Sequence, residues 1–196
     1  ANKLLVRFLL QASQKFDMQL TELNGGSLRN AIPREANASF VINESQVEAL
    51  EAALAEYLST IRHNLSAIET DIDMMLISPE DFDQAWTKAC QANILKSLNA
   101  SPNGVIRMSD AISGVVETSL NLGVIRCKGK KFIAQLLIRS LHDDGRLQVE
   151  EMVRSTFALA GAEVGFAGGY PGWAPDNSSA IMQTVRDTYV SLFSRT

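Results

Sequence analysis

The feature that most constrains this chain is a loop rich in glycine and ending in proline, which joins two stretches of extended character. The loop, residues 24–35, reads Asn-Gly-Gly-Ser-Leu-Arg-Asn-Ala-Ile-Pro-Arg-Glu. Apolar residues alternate with polar ones over 18–23 before it, and a second extended run, 36–42, follows it. Paired glycines permit positive φ and a close approach of backbones. Pro33 has a fixed φ and favours an extended conformation for the residue before it. The pattern predicts two strands joined by a rigid loop.

Such a loop can hold Asn30 outward as a candidate substrate-binding residue. An asparagine amide both donates and accepts hydrogen bonds. The alternative is a tight turn in which Asn30 bonds only to its own backbone. The residues alone leave both interpretations open.

A second candidate is Arg139, which follows the apolar strand pattern of residues 132–138. Its guanidinium would emerge at an edge or face of the sheet, where it could bind a carboxylate in a bidentate manner. The alternative is an ion pair with a nearby acid. A third set, Glu117, Ser119 and Asn121, alternates onto one face of a predicted strand. As a candidate binding site this set ranks below Asn30 and Arg139, because polar residues on a strand usually form its solvent side.

Composition narrows the class of partner. The chain has 196 residues, 46% of them hydrophobic, with 18 basic and 22 acidic side chains and a net charge of −4. A chain of this size can bury a full core. Its charge lacks the basic excess expected of a nucleic-acid-binding protein, so that class is excluded. No apolar run is long enough to span a membrane, and no signal peptide is recognisable. We therefore expect a cytoplasmic protein with neither nucleic-acid nor membrane partners, and with Cys90 and Cys127 as buried free thiols.

The order of helical and strand patterns predicts an α+β fold, a two-layer α/β sandwich of two ferredoxin-like lobes, about 1–100 and 101–175. Each lobe is expected to have an antiparallel sheet covered by helices on one face. The predicted helices cover 1–17, 43–65, 79–98, 146–160 and 178–193, and the predicted strands 18–25, 35–43, 72–77, 105–108, 115–126, 132–141 and 163–167. Ser78 is the expected N-cap of the third helix, with Pro79 at its first position. The first residues already have the pattern of a helix interior, so we expect a segment of a longer protein.

Catalytic groups are scarce in this chain. His63 lies on the polar side of a predicted helix, and His142 precedes Asp143 and Asp144. Histidine and carboxylates are zinc ligands, but adjacent residues rarely converge on one ion, and one of the two aspartates is needed to cap the next helix. No phosphate-binding loop, nucleophile elbow or paired-histidine zinc motif is present. We predict no metal site and no catalytic residue in this segment.

Taken together, these motifs resemble part of the aminoacyl-histidine dipeptidases, a carnosinase-like family of di-zinc exopeptidases. The resemblance spans nearly the whole chain and is carried by residues 1–8, 24–35, 102–107, 114–124, 137–141 and 170–173. The 24–35 and 116–121 motifs are specific, whereas the apolar helices are not.

The resemblance implies a cytosolic enzyme that hydrolyses Xaa-His dipeptides with two zinc ions and a glutamate base in a catalytic domain. Residues 1–175 resemble the lid or dimerisation domain of that family, and 176–196 resemble the helix that returns to the catalytic domain. By this resemblance Asn30 and Arg139 bind the carboxylate of the dipeptide or the tetrahedral oxyanion. The implied partners are the dipeptide, the protein's own catalytic domain and a second copy in a homodimer.

A different class of function is the alternative: a non-catalytic α+β module for ligand binding or oligomerisation, with Asn30 and Arg139 in structural roles. The two interpretations differ in geometry. A binding role requires the two side chains to face one common concavity, whereas positions on opposite faces would favour the module.

Overall fold

The structure, a computed structural model, describes residues 1–77, 82–128, 130–173, 176 and 178–194. Within these residues the helices are α1 (Asn2–Lys15), α2 (Val47–Leu65), α3 (Lys88–Ala100), α4 (Asp143–Ala158) and α5 (Ala180–Phe193). The strands are β1 (Met18–Gly25), β2 (Ala36–Ile42), β3 (Gly104–Met108), β4 (Val116–Lys128) and β5 (Lys131–Ser140). A short 3₁₀ turn, Glu44–Gln46, precedes α2.

All five strands belong to one antiparallel sheet in which the long strand β4 is central. β5 pairs with β4 over most of its length. β3 and β1 pair with the two ends of β4, at Val116–Leu120 and at Ile125 respectively, and β2 extends the sheet beyond β1. The α+β class is confirmed. The sequence analysis assigned one sheet to each lobe, whereas the Gly25–Ile125 pair joins the described strands of both halves in a single sheet.

One face of this sheet packs against helices and forms the core. The alternation along β5 shows which face it is: Phe132, Ala134, Leu136 and Ile138 pack against the core cluster. Their partners on β4 include Leu120 and Leu122, both almost fully buried. The helices contribute further buried side chains, among them Val6, Leu9, Leu50, Ile61, Leu95, Leu98, Val149 and Val153. The alternate residues of β4 and β5 therefore point to the opposite, open face.

Helix α3 is shorter than predicted. It begins at Lys88, and the Thr87 hydroxyl accepts a hydrogen bond from the Cys90 amide at 3.2 Å. Residues 82–87 are not helical, so the prediction of a helix over these residues was wrong. The predicted cap, Ser78, and the following Pro79 lie outside the described residues. Thr87 satisfies an amide at the start of the helix in the way expected of an N-cap.

Two predicted strands, 72–77 and 163–167, are not strands. In the first, the apolar alternation has a real cause, since Ile72, Met74 and Leu76 pack against the core. The segment nevertheless forms no ladder. Alternating burial is a property of any extended chain lying on a core, so the pattern alone could not distinguish it from a paired strand.

The cysteine prediction was wrong for one residue. Cys90 is exposed, and Cys127 is partly buried. Burial raises the pKa of the Cys127 thiol. Separately, none of the helices within the described ranges combines the length and the hydropathy that crossing a bilayer requires.

Candidate functional site

The loop between β1 and β2 is closed at its base and turned at its tip. The Gly26 amide donates to the Glu35 carbonyl at 3.1 Å, and the Ala31 amide donates to the Leu28 carbonyl at 3.2 Å. Gly26 has φ +66°, a conformation that glycine adopts without strain. The turn leaves the Asn30 side chain exposed at the tip of the loop.

Backbone contact fixes this loop on β4. A Cβ atom at Gly123 would lie 2.5 Å from the Arg29 Cα atom, and one at Gly26 would lie 1.9 Å from the Gly123 carbonyl oxygen. Neither position has room for a side chain. The Arg126 guanidinium also donates to the Gly26 carbonyl at 2.6 Å. The two glycines therefore allow the loop to lie directly on the strand.

Asn121 holds the tip of the loop. Its side-chain Nδ2 donates to the Arg29 carbonyl at 3.0 Å and to the Ala31 carbonyl at 2.8 Å. These carbonyls belong to the residues on either side of Asn30. The sequence analysis ranked Asn121 as a solvent-side residue, because its sequence pattern gives no indication of a loop folding back over it.

Arg139 lies on the open face near the end of β5 and is exposed. Its partner on β4 is Ser119, and the next pair on this face is Leu137 with Asn121. Directly opposed residues in an antiparallel pair point to the same face. Arg139 and the side chain that holds the Asn30 loop are therefore on the same face of two neighbouring strands.

Asn30 and Arg139 border a common concavity of about 1640 Å³. Its lining runs along both faces of β5: the loop 27–30 borders it on the open face, and helix α4 and the segment 162–172 border it elsewhere. Both side chains are exposed, and among the described residues neither has a hydrogen-bond or ion-pair partner. The two structural alternatives, an asparagine bonded to its own backbone and an arginine paired with an acid, are thus not seen in this part of the chain. Both of these exposed residues line the concavity.

A second arginine in the concavity has acidic partners. Arg146 on α4 pairs with Glu150, and its Nε atom lies 3.9 Å from Asp143. Asp143 also accepts a hydrogen bond from the Gly172 amide at 3.1 Å, which attaches the 162–172 segment to the start of α4. The expected capping role of Asp143 or Asp144 was wrong: the N-cap position is His142, which makes no capping bond with its side chain.

Neither histidine is among the residues that line the concavity, although Glu117, Leu141 and Asp143 around His142 are. His63 is exposed on α2. His142 lies 3.9 Å from the buried Glu117 carboxylate, which is also 3.3 Å from Arg107 Nε. The hydrogen bond from Arg107 to Asp110, followed by the Glu117 charge, raises the pKa of Arg107. Within the ranges given above, no three His, Cys, Asp or Glu side chains are grouped so that they could hold a metal ion.

Comparison with known proteins agrees with this resemblance. Residues 1–69 match the peptidase dimerisation domain family. Over its full length the chain is 42% identical to the cytosol non-specific dipeptidase of Escherichia coli (strain K12). It also matches the crystal structure of aminoacylhistidine dipeptidase from Vibrio alginolyticus over its full length, with 45% identity and a TM-score of 0.94.

The chain spans 40% of the length of each of these two relatives. The relatives are dipeptidases by name, and the family match covers the first third of the chain. The resemblance stated from the motifs is confirmed as a similarity: residues 1–69 match a peptidase dimerisation domain, and the whole chain is similar to one part of these dipeptidases.

Proposed function

We propose that this chain is the substrate-binding lid and dimerisation segment of a cytosolic metal-dependent dipeptidase. The observation that carries the proposal is that Asn30 and Arg139, both exposed, line the same broad concavity. The similarity to two dipeptidases over the whole chain supports it.

The chemistry of the two side chains suits an anion. A guanidinium has a planar fork of donors that matches a carboxylate. The Asn30 amide adds a neutral donor from another direction. Together they would bind either the terminal carboxylate of the dipeptide or the oxyanion that develops when water attacks the peptide carbonyl.

Bond breaking would be the task of residues outside this chain. The described residues hold no metal-binding group, so we propose that two zinc ions and a general base are held by a catalytic domain. Bound zinc supplies an activated water and polarises the carbonyl. The contribution of this chain is to bind and orient the substrate, and the segment alone is expected to be inactive.

The proposed substrates are dipeptides with a C-terminal histidine. One of the two relatives is named for aminoacylhistidine substrates and the other is named non-specific. We therefore propose Xaa-His dipeptides as substrates within a wider range. A cytoplasmic location is proposed from the name of the relative called cytosolic.

The size of the concavity suggests more than one occupant. Pockets for small ligands usually have volumes of about 300–1000 Å³, whereas this concavity has about 1640 Å³. A dipeptide near Asn30 and Arg139 would leave the rest unfilled. We propose that other protein surface, from the catalytic domain or a second copy, covers the remainder.

Helix α5 supports the proposed domain division, with a lid over 1–175 and a return helix over 176–196. α5 has no buried residue, although its sequence is amphipathic. Its exposed apolar side chains are Ile181, Met182, Val185, Tyr189, Val190, Leu192 and Phe193. An apolar helix face of this kind normally packs against other protein, and we propose the catalytic domain for that role.

A homodimer is proposed from the family match and from the free edge of β5. β5 has ten residues and pairs with β4; none of the other described strands pairs with it. An unpaired strand edge is a template for pairing with another chain. A second copy of β5 related by a two-fold axis would satisfy this edge.

Kinetics of the full-length protein test the substrate role. Replacing Arg139 by alanine should lower kcat/KM for an Xaa-His dipeptide about 10²–10³-fold, the effect of losing one donor to a developing oxyanion. Asn30→Ala should also lower it without changing the zinc content. The controls are Arg62→Ala and Asn64→Ala, both exposed on α2 and outside the concavity, and these should retain wild-type rates.

Wild-type kinetics for both Asn30→Ala and Arg139→Ala would overturn the substrate role and favour the non-catalytic module. Loss of zinc in Asn30→Ala would instead show that the loop has a structural role.

A further inference from the structure

We infer that Asn121 is a positioning residue, which orients Asn30 for substrate binding without touching the substrate. The inference rests on the proposed function for the role of Asn30. The contact between Asn121 and the Asn30 loop is formed only in the folded chain. This contact consists of the two hydrogen bonds from Asn121 Nδ2, at 3.0 Å to the Arg29 carbonyl and 2.8 Å to the Ala31 carbonyl.

These two bonds use both hydrogens of the Asn121 amide. The group therefore has no donor left for a ligand, which separates its role from a direct contact with substrate. The accepting carbonyls are the two that flank Asn30 in the chain. Fixing both restricts the backbone on either side of Asn30 and so restricts the direction of its side chain.

The strand that carries Asn121 also sets its relation to Arg139. Asn121 lies opposite Leu137, and Ser119 lies opposite Arg139. The loop tip is thus bonded to the same patch of sheet from which Arg139 projects. A small displacement of one donor in such a pair lowers activity, because binding of a transition state depends on geometry.

Other contacts hold the base of the loop but do not replace this role. The Arg126 guanidinium bonds to the Gly26 carbonyl at 2.6 Å, four residues before Asn30. The close backbone contact at Gly123 lies against Arg29. Among the described residues, Asn121 is the side chain that bonds on both sides of Asn30.

The first test is the variant Asn121→Asp in the full-length protein. A carboxylate has nearly the same shape but no donor, and its oxygens would face two carbonyl oxygens. Asn121→Ser provides a second, uncharged variant with one donor in place of two. The matched control is Asn64→Asp, which adds the same charge at an exposed position on α2.

Two measurements are made on these variants. Amide hydrogen exchange of the 26–35 loop, which contains the protected amides of Gly26 and Ala31, should become at least tenfold faster in Asn121→Asp and unchanged in Asn64→Asp. The kcat/KM for an Xaa-His dipeptide should fall at least tenfold in Asn121→Asp and by less in Asn121→Ser.

A double variant separates positioning from an independent role. If Asn121 acts through Asn30, then Asn30→Ala combined with Asn121→Asp should be within about twofold of Asn30→Ala alone, since coupled residues are not additive. Multiplying losses would overturn the inference, as would unchanged loop exchange in Asn121→Asp. Should Asn30→Ala itself retain wild-type activity, the proposed function fails at Asn30, and slower or faster loop exchange still decides whether Asn121 holds the loop.

Discussion

Gly123 illustrates how a single residue can determine the position of a loop far away in sequence. It lies at the irregularity in the β4–β5 pairing, between Leu122 and Val124. Its missing side chain lets the Arg29 backbone rest on the strand. Interiors are packed closely enough that one added methyl group has measurable consequences.

Replacing Gly123 by alanine should therefore destabilise the protein. The new Cβ atom would lie 2.5 Å from the Arg29 Cα and carbonyl oxygen, so either the loop or the strand must shift. We expect a loss of about 1–3 kcal/mol in the free energy of unfolding, as for other overpacked sites, measured by urea denaturation. The control is Gly165→Ala, where nothing lies within 4 Å of the added atom. Equal stability of the two variants would show that the contact is not tight.

Among single residues, the sequence predicts Asn30 and Arg139 as candidates but not the residues that hold their surroundings in place. Asn30 and Arg139 could be predicted because a glycine–proline loop and an arginine at the end of an apolar strand are local sequence patterns. Asn121 could not, because its two bonds span about 90 residues of sequence. The same applies to Gly123, whose need for a bare Cα depends on a loop from the other half of the chain.

Among the elements, β1 and α3 are joined through one buried side chain. β1 has an irregularity between Leu20 and Glu22 in its pairing with β2. Gln91 of α3, only 4% exposed, accepts from the Leu20 amide at 2.7 Å and donates to the Met18 carbonyl at 3.2 Å. A helix side chain thus satisfies backbone groups of the strand that would otherwise be buried without partners.

The change Gln91→Leu should cost about 1–3 kcal/mol of unfolding free energy, since it leaves a buried amide and carbonyl unsatisfied. Leucine is close in size, so packing alone predicts a much smaller effect. The comparison is Gln11→Leu on the exposed side of α1, which should change stability by less than about 0.5 kcal/mol. Thermal unfolding of both variants provides the measurement. Similar midpoints would mean that water or a local shift satisfies the Leu20 amide.

The observed element boundaries show where apolar alternation was sufficient to predict a strand. β1 and β5 were found within one residue of their predicted bounds, because alternation there coincides with pairing in the sheet. Residues 72–77 show the same alternation and pack on the core, yet form no strand. Whether an extended segment pairs depends on a free neighbouring edge, and this is a property of the whole sheet.

For the molecule as a whole, β4 explains why two expected sheets form one. It is 13 residues long, enough to pair with β3 at one end and β1 at the other along one edge. β5 occupies the opposite edge of β4. The sheet therefore continues from the Asn30 loop to Arg139, and the two donors from different halves of the chain have a common rigid support.

The outer edge of β5 is where we expect a second copy to bind, and a charge at its centre tests this. In a two-fold symmetric pairing, residues near the axis face their own copies. Gln135 is exposed and lies at the middle of Lys131–Ser140. Gln135→Glu would place two like charges opposite each other at almost unchanged shape. This should weaken the dimer by up to about 1 kcal/mol, or roughly fivefold in the dissociation constant.

Sedimentation at several protein concentrations measures that constant, with Gln11→Glu as the variant of equal charge on α1. The difference in dissociation constant between Gln135→Glu and Gln11→Glu should shrink at 1 M salt, where the Debye length falls to about 3 Å. A dimer equally strong in both variants at low salt would place the interface away from β5. The exposed apolar residues of α4, Leu147 and Met152, would then be the next surface to substitute, because a dimer that leaves β5 free must bury other apolar area to be stable.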